Sequence, residues 1–325
     1  YVYYLMQTIR VTVDTHKRYW ISNYSKISIP FPPYLEQQRI VTKIEELFSN
    51  LDNGIDSLRL ILRQLIVYRQ AVLKWAFEGK LTGFKSCQKI VFVESVANII
   101  DPQPSHRTPP EIKDGIPYVS TKDCDYNTGK IDFKTARKVS NDVLSEHVER
   151  YILEDGDFFI GKIGTIGQPI RITLPQNFTL SANVVLIQPR NINKKYLYYY
   201  FQSCFVETEF KKGQKATAQA AFGIQKVRKL PIIFPTDKEQ CQVVQEIERR
   251  ISICDKIKEG IEQSLLQAEA LRQSILKKAF EGKLVQQEPN EETASVLLER
   301  IKAEKENGKS DKKGKGKIEK ASKKK

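Results

Sequence analysis

Arg69-Gln70-Ala71-Val72-Leu73-Lys74-Trp75-Ala76-Phe77-Glu78-Gly79-Lys80-Leu81 returns 203 residues later as Arg272-Gln273-Ser274-Ile275-Leu276-Lys277-Lys278-Ala279-Phe280-Glu281-Gly282-Lys283-Leu284. Ten of the thirteen positions are identical (69, 70, 73, 74 and 76–81). The same offset holds without a gap back to Pro32 and Pro235. Glu36-Gln37 matches Glu239-Gln240, and Ile44 matches Ile247. Solenoid repeats recur every ~20–50 residues, so this separation describes two like segments with a large unit between them.

Outward from the first copy, apolar residues fall at Ile40, Ile44, Leu47, Leu51, Ile55, Leu58, Leu62, Leu65 and Val72. Spacings of mostly 3 and 4 make a heptad seam. Pro32-Pro33 fixes its start and Gly79 marks its end. The pattern predicts a helix of about 40 residues, too long to bury its own stripe, at 1.5 Å per residue. Its partner is the second copy, with Val243, Ile247, Cys254, Ile261, Leu265, Ala268 and Ile275. Arg250 and Lys258 stand where the first copy has Leu47 and Ile55, so the second seam is weaker.

Between the copies the texture changes to short β-rich runs: Ile90–Val93, Tyr118–Ser120, Phe158–Ile160, Ile170–Thr173 and Val184–Ile187. Turn residues separate them, among them Asp114-Gly115, Thr128-Gly129, Asp155-Gly156 and the stretch Gly161 to Gly167. Tyr196 to Phe210 is expected to be one helix. Tyr3-Tyr4-Leu5-Met6-Gln7 is like Tyr198-Tyr199-Tyr200-Phe201-Gln202, and Ile27 to Pro32 is like Leu230 to Pro235. Residues 1–30 are therefore expected to be the last part of a first copy of the central unit. After Leu284 a short helix is expected over Thr293–Lys305, and the Lys-rich remainder is expected to be disordered.

The formal charge is +14, from 53 basic and 39 acidic residues. Residues 301–325 hold eleven Lys against four acids, and Arg190 to Lys229 holds nine basic residues against Glu207 and Glu209. Such local basicity points to a polyanion, most often nucleic acid. For the terminal run the plainer reading is a solvated tail. The five cysteines (87, 124, 204, 241, 254) are odd in number and lack C-x-x-C spacing, so no zinc pattern or disulfide framework emerges. They suit reduced thiols and a cytoplasmic location. No apolar run reaches the roughly 18 residues of a membrane span.

Four stretches together resemble the DNA-specificity subunit of type I restriction–modification enzymes over about residues 1–305. They are Pro32 to Ile40, the doubled Ala-Phe-Glu-Gly-Lys-Leu, Gly115 to Asp123, and Gly156 to Gly167. The resemblance implies an α+β fold. In it, a mixed α/β target-recognition domain is inserted between two long helices that pair as an antiparallel coiled coil. The domain order it implies is as follows: a remnant of a first target-recognition domain (1–30), a first conserved helix (31–81), a target-recognition domain (82–233), a second conserved helix (234–285), and a short helix with a Lys-rich tail (286–325). It implies double-stranded DNA as ligand and methyltransferase (modification) subunits as partners, with the restriction/translocation subunit reached through them. With one recognition domain complete, the expectation is either a fragment or a half-length member that pairs with a second copy as a homodimer. No membrane, cofactor or metal is implied, and the subunit would be non-catalytic. The rival reading is a coiled-coil scaffold whose inserted domain binds protein.

The residues themselves offer little catalysis. Phe31-Pro32-Pro33-Tyr34 lacks the leading Asn or Asp that an amino-methyltransferase motif needs at its target amine. Gly161-Lys162-Ile163-Gly164-Thr165-Ile166-Gly167 is not a phosphate-binding P-loop. His106 and His147 read as surface residues. Candidate DNA contacts lie in three loops. The first holds Ser105 and Arg107, and the second holds Lys162, Thr165 and Gln168 around the glycine turn. The third holds Lys211, Lys212, Gln214, Lys215, Thr217 and Gln219. Lysines neutralise phosphates, glutamines pair with adenine edges, and glycines let backbone amides approach the phosphates. For each, an ordinary exposed turn is the alternative. The aromatic run Tyr196 to Phe201 is read as core rather than as a base-stacking platform. Trp75 and Phe77 either meet a partner or pack on the central domain.

Overall fold

The computed structural model describes residues 1–9, 27–83, 89–105, 107–126, 128–163, 167–175, 177–214 and 223–305, with only the backbone at 212–214. The chain falls into two compact units, Tyr1–Leu62 with Glu259–Lys325, and Arg63–Lys258. After the short helix α1 (Val2–Met6) comes α2 (Tyr34–Phe77), of 44 residues. Strands β1 (Lys89–Phe92), β2 (Ala97–Ile100), β3 (Ile116–Val119), β4 (Cys124–Asp125), β5 (Lys130–Ile131) and β6 (Arg137–Val139) lead to helix α3 (Asn141–Arg150). Then follow β7 (Phe158–Gly161), β8 (Pro169–Arg171), β9 (Thr179–Leu180) and β10 (Val184–Pro189). Helices α4 (Lys194–Phe201), α5 (Cys204–Gln214) and α6 (Ile224–Arg228), strand β11 (Pro231–Phe234) and the 44-residue α7 (Asp237–Phe280) complete the order. Residues 294–305 form a last helix, α8. No helix among the described residues is long and apolar enough to cross a membrane.

The repeat becomes the same chemistry twice. At each start a glutamine donates its side-chain amide to a proline carbonyl five residues back: Gln37 to Pro32 at 2.8 Å, Gln240 to Pro235 at 2.9 Å. At each end a glycine takes positive φ, 73° at Gly79 and 71° at Gly282. Lys80 N–H then reaches the Trp75 carbonyl (2.9 Å), and Lys283 N–H reaches that of Lys278 (2.8 Å). This is the glycine-terminated cap that satisfies the last helical carbonyls.

In the first unit, Ile40, Ile44 and Phe48 of α2 pack with Ile275, Leu276 and Ala279 of α7. The Arg272 guanidinium lies 4.3 Å over the Phe48 ring and pairs with Asp52. Tyr1 meets Phe280 edge to face at 5.2 Å. In the second unit Arg69 pairs with Asp255, while Val72, Leu73, Ala76 and Phe77 share a core with Val243, Val244 and Ile247. Within each unit, rising numbers on α2 meet falling numbers on α7, so the helices run antiparallel. Lys258 is exposed, but Val243, Ile247, Cys254, Ile261, Ala268 and Ile275 of the second seam are all buried, so that seam is not the weaker one.

The second unit's main sheet has the order β2-β10-β7-β8, all neighbours antiparallel. Side chains alternate across it. Phe158, Ile160, Val185 and Ile187 face a core shared with α4 and the long helices. Phe159, Val184 and Leu186 face a second core with Ile170, Ile172 and Leu180. The central strand β10 is buried at all six positions, which explains its unbroken apolar run. A smaller sheet, β6-β3-β9, contains the parallel pair β3–β9.

Two expectations need correction. Tyr196 to Phe210 is not one helix: the chain breaks at Gln202-Ser203, where the buried Ser203 hydroxyl takes the Tyr200 carbonyl at 2.6 Å. His147 is 1% exposed rather than a surface residue. The aromatic run is core only in part, since Tyr198 and Tyr199 are half-buried at its edge. Tyr196, Tyr200 and Phe201 are buried, and Phe77 packs on the Tyr196 and Tyr200 rings at 5.1 and 5.4 Å. Trp75 stays 43% exposed.

Candidate nucleic-acid interface

The first two candidate loops follow strands that pack into the two cores, and the third begins on helix α5. β2 runs into the first loop, and β7 runs into the glycine loop that returns as β8. These two loops are tied together: Lys162 Nζ donates to Asp101 Oδ2 at 2.8 Å. The glycine loop also meets the end of α5. Gly167 has φ 85°, and a Cβ built there would run into the Phe210 ring. Only glycine lets the loop come so close. Gly167 thus joins the glycine loop to α5, as Lys162 joins it to Asp101.

Each candidate has a different standing. Ser105 is exposed, and its hydroxyl accepts from Gln103 Nε2 at 3.0 Å. Arg107 is exposed and forms no ion pair among the described residues. Lys162 is buried, its charge matched by Asp101. Gln168 and Lys211 are exposed and line one cleft of about 780 Å³. Lys211 pairs across one helical turn with Glu207 at 2.5 Å. Lys212 and Gln214 lie on the last turn of α5. Thr165, Lys215, Thr217 and Gln219 fall outside the described residues.

That cleft brings in two cations the sequence reading missed. Lys130 follows the Thr128-Gly129 turn, and Arg171 ends β8 with its guanidinium 4.6 Å over the Tyr198 ring. Neither forms an ion pair among the described residues. The only sequence signal was the turn before Lys130. Nothing local marked Arg171, which sits inside an apolar strand.

The comparisons bear on this geometry. The family model "Type I restriction modification DNA specificity domain" matches residues 111–267. The type I restriction enzyme EcoBI specificity subunit of Escherichia coli is 28% identical over 306 residues, covering 85% of this chain and 64% of the relative. The EcoKI specificity subunit of Escherichia coli K12 is 26% identical over 310 residues, covering 87% of this chain and 65% of the relative. Residues 111–267 are a type I restriction–modification DNA specificity domain. The chain spans slightly less than two thirds of these relatives' length. A solved structure from work on complex assembly and conformational transition of the type I R-M system shares the fold. Its TM-score is 0.62 at 17% identity, over 86% of this chain and 68% of that one.

In this chain the matched span includes the glycine loop, the cleft residues Lys130 and Arg171, and the first part of α7. It leaves out Ser105 and Arg107. Beneath those two residues lies the corrected His147. Its Nε2 contacts Gln103 Oε1 at 2.8 Å, and its Nδ1 contacts the Thr179 hydroxyl. Burial holds its pKa below the usual histidine value, so the ring is neutral near pH 7. A neutral ring with Nε2–H donating to Gln103 leaves Nδ1 to accept from Thr179 or Tyr151, whose hydroxyl lies 3.2 Å away.

Proposed function

We propose that the chain is a sequence-specific DNA-binding subunit that directs a type I restriction–modification complex to its target. Residues 82–233 read one half-site in the major groove. The observation that carries this reading is the cleft that brings the exposed Gln168 of the glycine loop together with the exposed Lys211 of α5, while Arg107 is exposed on the first loop. Lys130 and Arg171 add phosphate-neutralising charge beside Gln168 and Lys211. Lys212, Gln214, Lys215, Thr217, Gln219 and Thr165 are candidate DNA contacts on their residue types and sequence positions alone. The subunit works without turnover of its own, in the cytoplasm. Methyltransferase subunits are its direct partners, and the restriction subunit is reached through them. The rival, a scaffold whose central domain binds protein, draws no support from the relatives.

The test is selection from a randomised duplex library, using the full chain with its cognate methyltransferase subunit at two salt concentrations. One short enriched motif is expected, or two copies at fixed spacing if the chain forms a homodimer. Lys130→Gln and Arg171→Gln should each lower the slope of log affinity against log salt by about 0.9. No enrichment while the methyltransferase is bound sinks the reading.

A further inference from the structure

We infer that Asp101, Gln103, Lys162 and His147 form an internal brace that sets the reading loops. On this view Lys162 governs DNA recognition through Asp101 and does not touch a phosphate. The inference rests on the DNA-reading function proposed above. Its starting point is the position of the Lys162 ammonium, on a side chain only 10% exposed and 2.8 Å from the Asp101 carboxylate. A cation that neutralises DNA must be free to meet the backbone, whereas this one is already neutralised inside the fold.

Asp101 links outward as well. Its Oδ1 accepts the Gln103 N–H at 3.2 Å while Oδ2 accepts from Lys162. Gln103 is 6% exposed and uses both ends of its side chain. Its Oε1 accepts from His147 at 2.8 Å and from the Tyr118 hydroxyl at 3.4 Å, and its Nε2 donates to Ser105. His147 is fixed in turn by Thr179 and Tyr151, whose hydroxyls lie 2.9 Å apart. One run of side chains thus leads from α3 and β9 through Gln103 to the exposed Ser105. A branch at Asp101 reaches the first residue of the glycine loop. That residue is also held by its backbone, with Lys162 N–H donating to the Asn183 carbonyl at 2.9 Å. In such a network, removing one member leaves buried polar groups unsatisfied. The loop therefore shifts, and both loops shift together because Asp101 serves both. The brace explains how two loops about 60 residues apart in sequence present one reading surface.

The test compares the full-length wild type with Asp101→Ala, Lys162→Met and, as a phosphate-contact control, Lys211→Met. The probes are the duplex that the wild type enriches from the randomised library and a scrambled duplex of the same composition. Asp101→Ala and Lys162→Met should each reduce the enriched-to-scrambled affinity ratio about tenfold or more, with the salt slope unchanged. Lys211→Met should instead lower the slope by about 0.9. In a second arm without DNA, hydrogen exchange at the Gln103 amide should quicken in Asp101→Ala while the melting curve stays cooperative. A slope loss of about 0.9 in Lys162→Met, or unaltered exchange in Asp101→Ala, overturns the brace. If the wild type enriches nothing, the DNA-reading function fails, and the exchange arm still decides the brace.

Discussion

At the residue scale, Gly167 shows what local sequence reveals and what it hides. Its place in a glycine-rich turn was legible. The reason it must be glycine was not, because the Phe210 ring that closes on it lies 43 positions further on. Positive φ and a blocked Cβ position act together. Gly167→Ala should destabilise the fold by about 2–4 kcal/mol, against about 1 kcal/mol for Gly129→Ala, where φ is 69° but the space is open. Urea midpoints of the two variants check the difference. His147 was misread for a similar reason: its partners Gln103 and Thr179 are 44 and 32 residues away. Its pKa is lowered by burial, so between about 6.5 and that lower value the unfolded chain binds a proton that the folded chain refuses. Stability is therefore full above about pH 6.5 and falls as the pH drops through that window. The slope is at most about 1.4 kcal/mol per pH unit. Unfolding curves for the wild type and His147→Gln, taken between pH 5 and 8, should diverge on the acid side. Parallel curves would refute this account.

At the element scale, the long helices were the most legible part. Heptad spacing, paired prolines and terminal glycines are all read within a few residues, and each has a local physical effect. Gly79→Ala and Gly282→Ala should cost about 1 kcal/mol each and add when combined, since the two caps belong to different compact units. Non-additive thermal shifts would mean that the two ends are coupled. The break between α4 and α5 was not legible. Helix propensity runs smoothly through Tyr196 to Phe210, and the interruption comes from burying Ser203. Strand β2 ends at the Asp101-Pro102 turn, which was legible, and gains its place in the sheet by pairing with β10.

At the scale of the whole molecule, charge was legible in amount but not in destination. The basic stretch from Arg190 to Lys229 counts strongly in sequence. In the structure, Arg190 and Lys194 both face Glu154, and Lys195 meets Glu248 at 2.7 Å. These acids come from α7 and the turn before β7, far away in sequence. Such half-exposed pairs add little stability, yet they withdraw charge from any ligand. Meanwhile Arg171, inside an apolar strand, is delivered to the cleft. The same folding that hides cations also fixes where change is affordable. Strand β10 presents none of its six side chains to water, so almost any replacement there opens a void or strands a polar group. The turns at the strand ends carry no such constraint. Random mutation of this gene should therefore leave a sharply two-toned record, with silence along the sheet and divergence at its rim. A lineage of such proteins would acquire new habits of recognition while its scaffold stayed the same.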